Sequence, residues 1–316
     1  MRVVDTHCDL LYKLQDSYGK GRPLDYLVSN ELDSNLLRLH RGGVGVQFFA
    51  IFVSPSLEVE ERWSVAKAQL KLFQEKICQG PKIRKIRRWE DLFFLEDDEI
   101  GAVLSLEGIE AIGKDLDRLN YLYTEGLLSV GLTWNKENLA ASGALANGLG
   151  GLTSFGEKII ELNNQHRVLT DVSHLNEPSF WDVIEKANYV IASHSNCYTL
   201  CPHPRNLKDM QIQALIEKEA LISLTFYPPF IHPNSKQSTS FEDLCAHIDY
   251  ILQLGGEESI SFGSDFDGID QYMSSLRHAG QYQALVDFLC FRYGERLVRK
   301  FCYENFEQFI LRIVGE

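Results

Sequence analysis

Eight short runs rich in apolar and β-branched residues recur along this chain, separated by segments long enough to be helices, and this alternation constrains the fold more than any other feature. The runs occupy residues 2–6, 44–53, 101–106, 127–133, 168–172, 189–193, 220–225 and 259–263. Short runs that are apolar on both faces are the pattern of parallel strands covered above and below. Parallel strands need crossover connections, and amphipathic helical periodicity supplies them over 57–77, 116–125, 155–166, 178–186, 210–218 and 241–255. Eight such units predict an α/β protein of the (β/α)8 TIM-barrel type, although a doubly wound open sheet has a similar local pattern. Residues 271–316 read as extra C-terminal helices. No Pro/Ser-rich or low-complexity linker divides the 316 residues, so residues 1–316 are predicted to be a single domain.

Composition narrows the class of partner. Hydrophobic residues make up 45% of the chain and charged residues 24%, the balance of a globular protein with a sizeable core. With 31 Lys and Arg against 44 Asp and Glu, the formal net charge is −13, which repels phosphate backbones and argues against nucleic acid. The basic run from Lys82 to Arg88 has no interleaved aromatic platform, meets the acidic stretch Glu96-Asp97-Asp98-Glu99, and reads as a solvated face. The seven cysteines are odd in number and lack the spacing of a disulfide framework, which points to reduced thiols in a cytoplasm. No apolar run approaches the roughly 20 residues of a membrane span, and neither end of the sequence reads as a leader or a lipid anchor. A membrane is therefore not an expected partner.

The residues suited to chemistry fall at informative places. His7 and Asp9 follow the first run, Glu107 the third, His174 the fifth, His194 the sixth and Asp265 the eighth. In a barrel all six converge on the C-terminal face, where barrel enzymes place their active sites. Three histidines and three carboxylates without a cysteine suit an open site for zinc or a similar borderline ion. They exceed the needs of one four-coordinate ion and match two divalent ions sharing a bridging carboxylate. Glu107 is the natural bridge, since it leaves the barrel between the two histidine groups. Taken singly, each residue has a bland reading. His7-Cys8-Asp9 could be a hydrogen-bonded pair at a strand end, His174 and His194 satisfied core histidines, and Glu107 the start of a turn. Their coincidence at strand ends is what favours the metal site. Cys197 and Cys201 lack a second pair, and no Gly-x-Ser-x-Gly elbow occurs.

A broader set of motifs resembles the membrane (renal) dipeptidases and their bacterial relatives, within the metal-dependent amidohydrolase barrels. The set runs through Asp5-Thr6-His7-Cys8-Asp9-Leu10, Gly43-Val44-Gly45-Val46-Gln47-Phe48-Phe49, Leu106-Glu107-Gly108 and Leu132-Thr133-Trp134-Asn135. It continues with Asp171-Val172-Ser173-His174, Ala192-Ser193-His194-Ser195-Asn196, Pro204-Arg205-Asn206 and Phe262-Gly263-Ser264-Asp265-Phe266-Asp267-Gly268. The resemblance implies a zinc-dependent dipeptidase acting through a metal-bridged hydroxide on dipeptides, including those with a C-terminal D-residue. It assigns His7 and Asp9 to one zinc, His174 and His194 to the other, and Glu107 to both. Asp265 becomes the acid/base residue and Arg205 the clamp for the substrate carboxylate. A homodimer is also implied.

Two positions depart from the animal enzymes of that family. Trp134 stands where they carry a His near the substrate, and Glu107-Gly108-Ile109-Glu110 replaces their Glu-Gly-Gly-His. Other enzymes with such metal ligands, cyclic-amide hydrolases and deaminases, remain alternatives, as does an inactive metal-binding barrel. The fourth run has no lysine for carbamylation, which weighs against the carbamate-bridged members.

Overall fold

The computed structural model describes residues 1–234 and 238–315. Nine parallel strands run through it: β1 Val3–Asp5, β2 Val44–Phe52, β3 Ile83–Ile86, β4 Ile100–Glu107, β5 Leu127–Gly131, β6 Leu169–Asp171, β7 Val190–Ala192, β8 Leu221–Leu224 and β9 Ile260–Phe262. β1 pairs with both β2 and β9, and β2 pairs with β4, so eight strands close into a (β/α)8 barrel. The open-sheet alternative is thereby excluded.

β3 lies outside the eight expected runs. It pairs with β4 from Ile83↔Ile100 to Ile86↔Val103, just below the point where β5 joins the same edge at Leu104↔Leu127. The stretch read as a solvated face is thus an added strand. Its charges are met by the acidic segment before β4: Arg84 binds Glu99 at 2.9 and 3.1 Å, and Lys82 lies 3.2 Å from Asp98. Local neutralisation lets a strand form in a sequence too basic to resemble one.

The crossover helices match the sequence periodicity closely. Ser154–His166 is capped by Thr153, which accepts from Gly156 N. Glu177–Lys186 is capped by Asn176 and has Pro178 in its first turn, where a missing N–H costs nothing. The helix Val59–Leu72 continues into a π-turn over Phe73–Ile77.

Inside the barrel, Val4, Val46, Phe48, Val103, Leu128, Leu169, Ile191 and Leu221 form one buried cluster. The C-terminal helix Asn305–Gly315 contributes Phe306, Phe309, Ile310 and Ile313 to that cluster, so it plugs the N-terminal end of the barrel. Asn305 fastens the plug by donating to Ile260 O at the start of β9 and to Glu257 O, both at 2.9 Å. Burying four large side chains there contributes on the order of 6–12 kcal/mol of hydrophobic stabilisation before entropy is counted. With that end closed, the C-terminal face remains open for chemistry. Among the described residues, no helix is long and apolar enough to cross a membrane.

Candidate metal centre

The six residues singled out at strand ends do converge. β1 ends just before His7 and Asp9; β4 ends on Glu107; the turns after β6, β7 and β9 carry His174, His194 and Asp265. His7 Nε2 lies 3.5 Å from Asp9 Oδ2, 3.9 Å from Glu107 Oε1 and 3.8 Å from Asp265 Oδ1. His174 Nε2 is 2.8 Å and His194 Nε2 3.8 Å from the same Glu107 oxygen. Two overlapping groups each bring one potential ligand atom per residue within 4.8 Å of the others, His7 with Glu107 and His194, and His7 with Asp9 and Asp265. The two groups share His7, and Glu107 Oε1 lies within 3.9 Å of the Nε2 atoms of His7, His174 and His194.

Hydrogen bonding behind the histidines tests whether these residues fit a cation. His174 Nδ1 meets Asn135 Oδ1 at 3.1 Å, and an amide oxygen only accepts, so the ring proton sits on Nδ1. His194 Nδ1 meets Ser193 Oγ at 2.8 Å, and that hydroxyl donates onward to Asp171 Oδ2, which places the His194 proton on Nδ1 as well. Both Nε2 atoms are then bare lone pairs, yet they face each other at 2.9 Å beside a carboxylate oxygen. Two lone pairs facing each other at such range repel unless a positive ion lies among them. His7 Nε2 and Asp9 Oδ1 are likewise buried without a hydrogen-bond partner. The donor set fits divalent metal, and the orientation of each ligand from behind is the pattern of metal histidines.

Charge is distributed unevenly. Burial acts to lower the pKa of His7, but the carboxylates of Glu107, Asp9 and Asp265 outweigh it and raise the value to about 10. Burial pushes Glu107 well above the usual carboxylate range, with Asp9 adding to the effect. Asp265 is raised to about 7, chiefly by burial; His7 opposes the rise and Asp9 adds to it. His174 and His194 are held well below the ordinary imidazole value, by burial first and then by nearby cationic groups.

Arg205 and Trp134 line the same cavity of about 350 Å³ as Asp9, Glu107, His174 and Asp265. The Arg205 guanidinium is buried, and none of its three nitrogens has a partner among the described residues. Such a group is costly to bury alone and is suited to a ligand carboxylate. Phe230 lies under it at 5.4 Å. Trp134 packs against Phe52 at 5.2 Å and near the His174 ring at 6.4 Å, forming an apolar wall. Glu110 is held by Asn138, which donates to its Oε1 at 3.0 Å, and its Oε2 lies so close to Gly108 that a Cβ there would collide. Gly108 also has φ +77°, so glycine is required on both counts. Cys197 and Cys201 take no part; their thiols donate to His247 O and Pro229 O.

Several residues of the site were not singled out by the sequence. Asn135 and Ser193 orient the histidines, Asp171 receives the Ser193 hydroxyl and both the Ser173 and Ser193 amides, and Tyr227 and Asp270 form the rim. Asn135, Asp171 and Ser193 do lie inside the recurring motifs, one to three residues from a ligand or rim residue, and that adjacency was the available signal. Tyr227 and Asp270 carry none.

Comparison with known proteins places this geometry in a family. The family model described as Membrane dipeptidase (Peptidase family M19) matches residues 1–316. A protein of Schizosaccharomyces pombe described as an uncharacterized dipeptidase is 28% identical over 309 residues, covering 90% of this chain and 73% of its own. A metallopeptidase from Rhodobacter sphaeroides, solved with a phosphinate mimic of the dipeptide L-Ala-D-Ala, superposes with a TM-score of 0.90 at 26% identity, over 99% of each chain. A solved dipeptidase of the same family superposes with a TM-score of 0.89 at 27% identity, over 100% of this chain and 99% of its own.

Proposed function

Because the chain belongs to the membrane dipeptidase family, and is on that account a metallo-dipeptidase, we propose that it cleaves dipeptides bearing a free C-terminal carboxylate at a centre of two zinc ions. The observation that carries this reading is the pair of imidazole lone pairs, His174 Nε2 and His194 Nε2, opposed at 2.9 Å beside Glu107. His7 and Asp9 would hold one ion, His174 and His194 the other, with Glu107 shared by both. Bound there, such ions would supply Lewis acidity and activate water for attack at neutral pH.

This chain's own residues do the rest. Asp265 borders the His7 side with a pKa near 7, suited to accepting a proton and returning it to the leaving amine. Arg205 pairs with the substrate's terminal carboxylate through its planar fork, which limits the enzyme to short peptides. Trp134 and Phe52 close one wall and exclude water. A D-residue at the C-terminal end is accepted, because the scissile carbonyl belongs to the preceding residue. The bound L-Ala-D-Ala mimic in the Rhodobacter sphaeroides relative supports this. Residues 1–316 act as one domain, and seven unpaired cysteines support a cytoplasmic setting.

Metal analysis together with peptide hydrolysis tests the reading. Purified protein is expected to carry close to two zinc ions and to cleave L-Ala-D-Ala and L-Ala-L-Ala. Chelation should abolish both activities and zinc should restore them, while C-terminally amidated dipeptides should be poor substrates. Equal cleavage of free and amidated dipeptides overturns the carboxylate clamp and favours a cyclic-amide hydrolase; full turnover after chelation overturns the metal reaction.

A further inference from the structure

A buried charge cluster beneath the His7 side has no part in the reaction above. Asp267 lies two residues beyond Asp265, and both have left-handed backbone, with φ +68° and +65°. Non-glycine residues hold that conformation only where surrounding contacts enforce it. The contacts are explicit. Asp267 Oδ1 accepts from Lys13 Nζ at 3.0 Å and from Asp33 N at 2.7 Å, and its Oδ2 accepts from Ser34 N at 3.0 Å. Asp33 reciprocates, its Oδ2 accepting from Asp267 N at 3.1 Å and from Tyr272 Oη at 2.9 Å. Lys13 Nζ is also 3.9 Å from Asp33.

Lys13 gives the cluster its reach. It stands one helical turn after Asp9, its own N–H donating to Asp9 O at 3.2 Å, while its ammonium sits on the turn that carries Asp265. The gap between the two carboxylates is tight: at Gly268 a Cβ would run into Asp9 Oδ2 and lie 3.0 Å from Asp265 Oδ1. Two buried carboxylates, Asp33 and Asp267, would repel each other without the ammonium between them. Removing it should loosen the Asp265 turn from the Asp9 helix. The other side of the centre has no such dependence, because His174 and His194 are oriented by Asn135 and Ser193.

We propose that Lys13, Asp267 and Asp33 form a positioning clamp that fixes Asp9 and Asp265 relative to each other, and so sets the affinity of one metal position and the aim of the acid/base carboxylate. The inference rests on the dinuclear reading. None of the three touches substrate, so they are positioning residues.

The test uses Lys13→Met, whose side chain is already 30% exposed and should tolerate the change, with Lys13→Arg as the conservative variant and Asp267→Asn as an independent break. Metal-free proteins, checked for folding by circular dichroism, are titrated with zinc against a competing chelator. Lys13→Met and Asp267→Asn should each weaken one of two binding steps by about tenfold or more and leave the other within about twofold, as loss of an outer-shell partner does. Lys13→Arg should restore the weakened step. In dipeptide hydrolysis kcat should fall while KM holds. Equal weakening of both steps, or no change in either by a folded variant, overturns the clamp. A wild-type protein that takes up a single ion refutes the dinuclear reading instead; the clamp then stands if Lys13→Met weakens that ion and falls if it does not.

Discussion

The His7 side of the centre and the His174 side share one barrel rim but prepare for a cation by different physics. On the His7 side, Asp9, Asp265 and Glu107 crowd a single imidazole, and their field raises its pKa to about 10. On the His174 side, two imidazoles are kept neutral by burial, and the hydrogen bonds they donate to Asn135 Oδ1 and Ser193 Oγ turn their lone pairs inward. One side attracts a cation with charge and holds a proton in its place; the other presents preset donors. Glu107 belongs to both, 2.8 Å from His174 and 3.9 Å from His7.

Glu107→Gln should therefore erase the difference altogether. Both sides lose their shared anion, so bound metal is expected to fall from about two ions to less than one, with dipeptide hydrolysis at background; metal analysis of the purified variant checks this. If the variant retains two ions, the bridge is wrong. Asp265→Asn separates the sides instead. The imidazole side is untouched and Asp9 remains, so both ions should stay while kcat drops by about 10²–10⁴, the usual worth of a placed acid/base group. Normal turnover would remove Asp265 from the reaction.

Arg205 lines the cavity shared by Asp9 and Asp265 on one side and His174 on the other, and its loss should be felt in substrate rather than metal. Arg205→Ala is expected to cost about 2–5 kcal/mol in kcat/KM for free dipeptides, the scale of a buried charge pair losing one member, with zinc content unchanged. For amidated dipeptides the same variant should differ little from wild type. A similar loss on both substrates would mean that Arg205 supports the fold and not the carboxylate.

Much of this was legible in the sequence because it depends on patterns that barrels repeat. The eight ring strands are read from apolar runs, and once they are placed the strand-end positions of His7, Asp9, Glu107, His174, His194 and Asp265 follow. What depends on three-dimensional neutralisation was not legible. Ile83–Ile86 pairs as a strand because Glu99 and Asp98 discharge its Arg84 and Lys82, and no period in the run itself reports that. The plug built from Phe306, Phe309, Ile310 and Ile313 reads only as an amphipathic helix until its partners inside the barrel are known. Nothing in the sequence marks Lys13, because its partner Asp267 is 254 residues away.

The smallest expected effect is the most direct probe of the two-sided electrostatics. His7 has a folded pKa of about 10, above its ordinary 6.5, so the stability it contributes to the metal-free protein is complete below about 6.5 and is lost as pH rises through 10. Glu107, also raised, acts with the same sign. His174 and His194 act oppositely: their lowered values mean that stability falls as pH drops below about 6.5, where the unfolded chain takes up protons that the folded one refuses. Asp265, raised to about 7, partly offsets them at acid pH but adds almost nothing above it. Between pH 7 and 10 the imidazole side is therefore silent, while the His7 side lowers the melting temperature of the metal-free protein, joined near the top of the interval by the buried thiols, which burial also holds above the ordinary thiol value. His7→Gln should flatten that slope by a few degrees relative to wild type, on a scale of about 1.5 °C per kcal/mol for a chain of 316 residues. Zinc must displace the His7 proton, so the rise in melting temperature on adding zinc should grow with pH over the same interval. If His7→Gln leaves the metal-free slope unchanged, the proton is not on His7, and the contrast between a charged side and a preset side fails at its root.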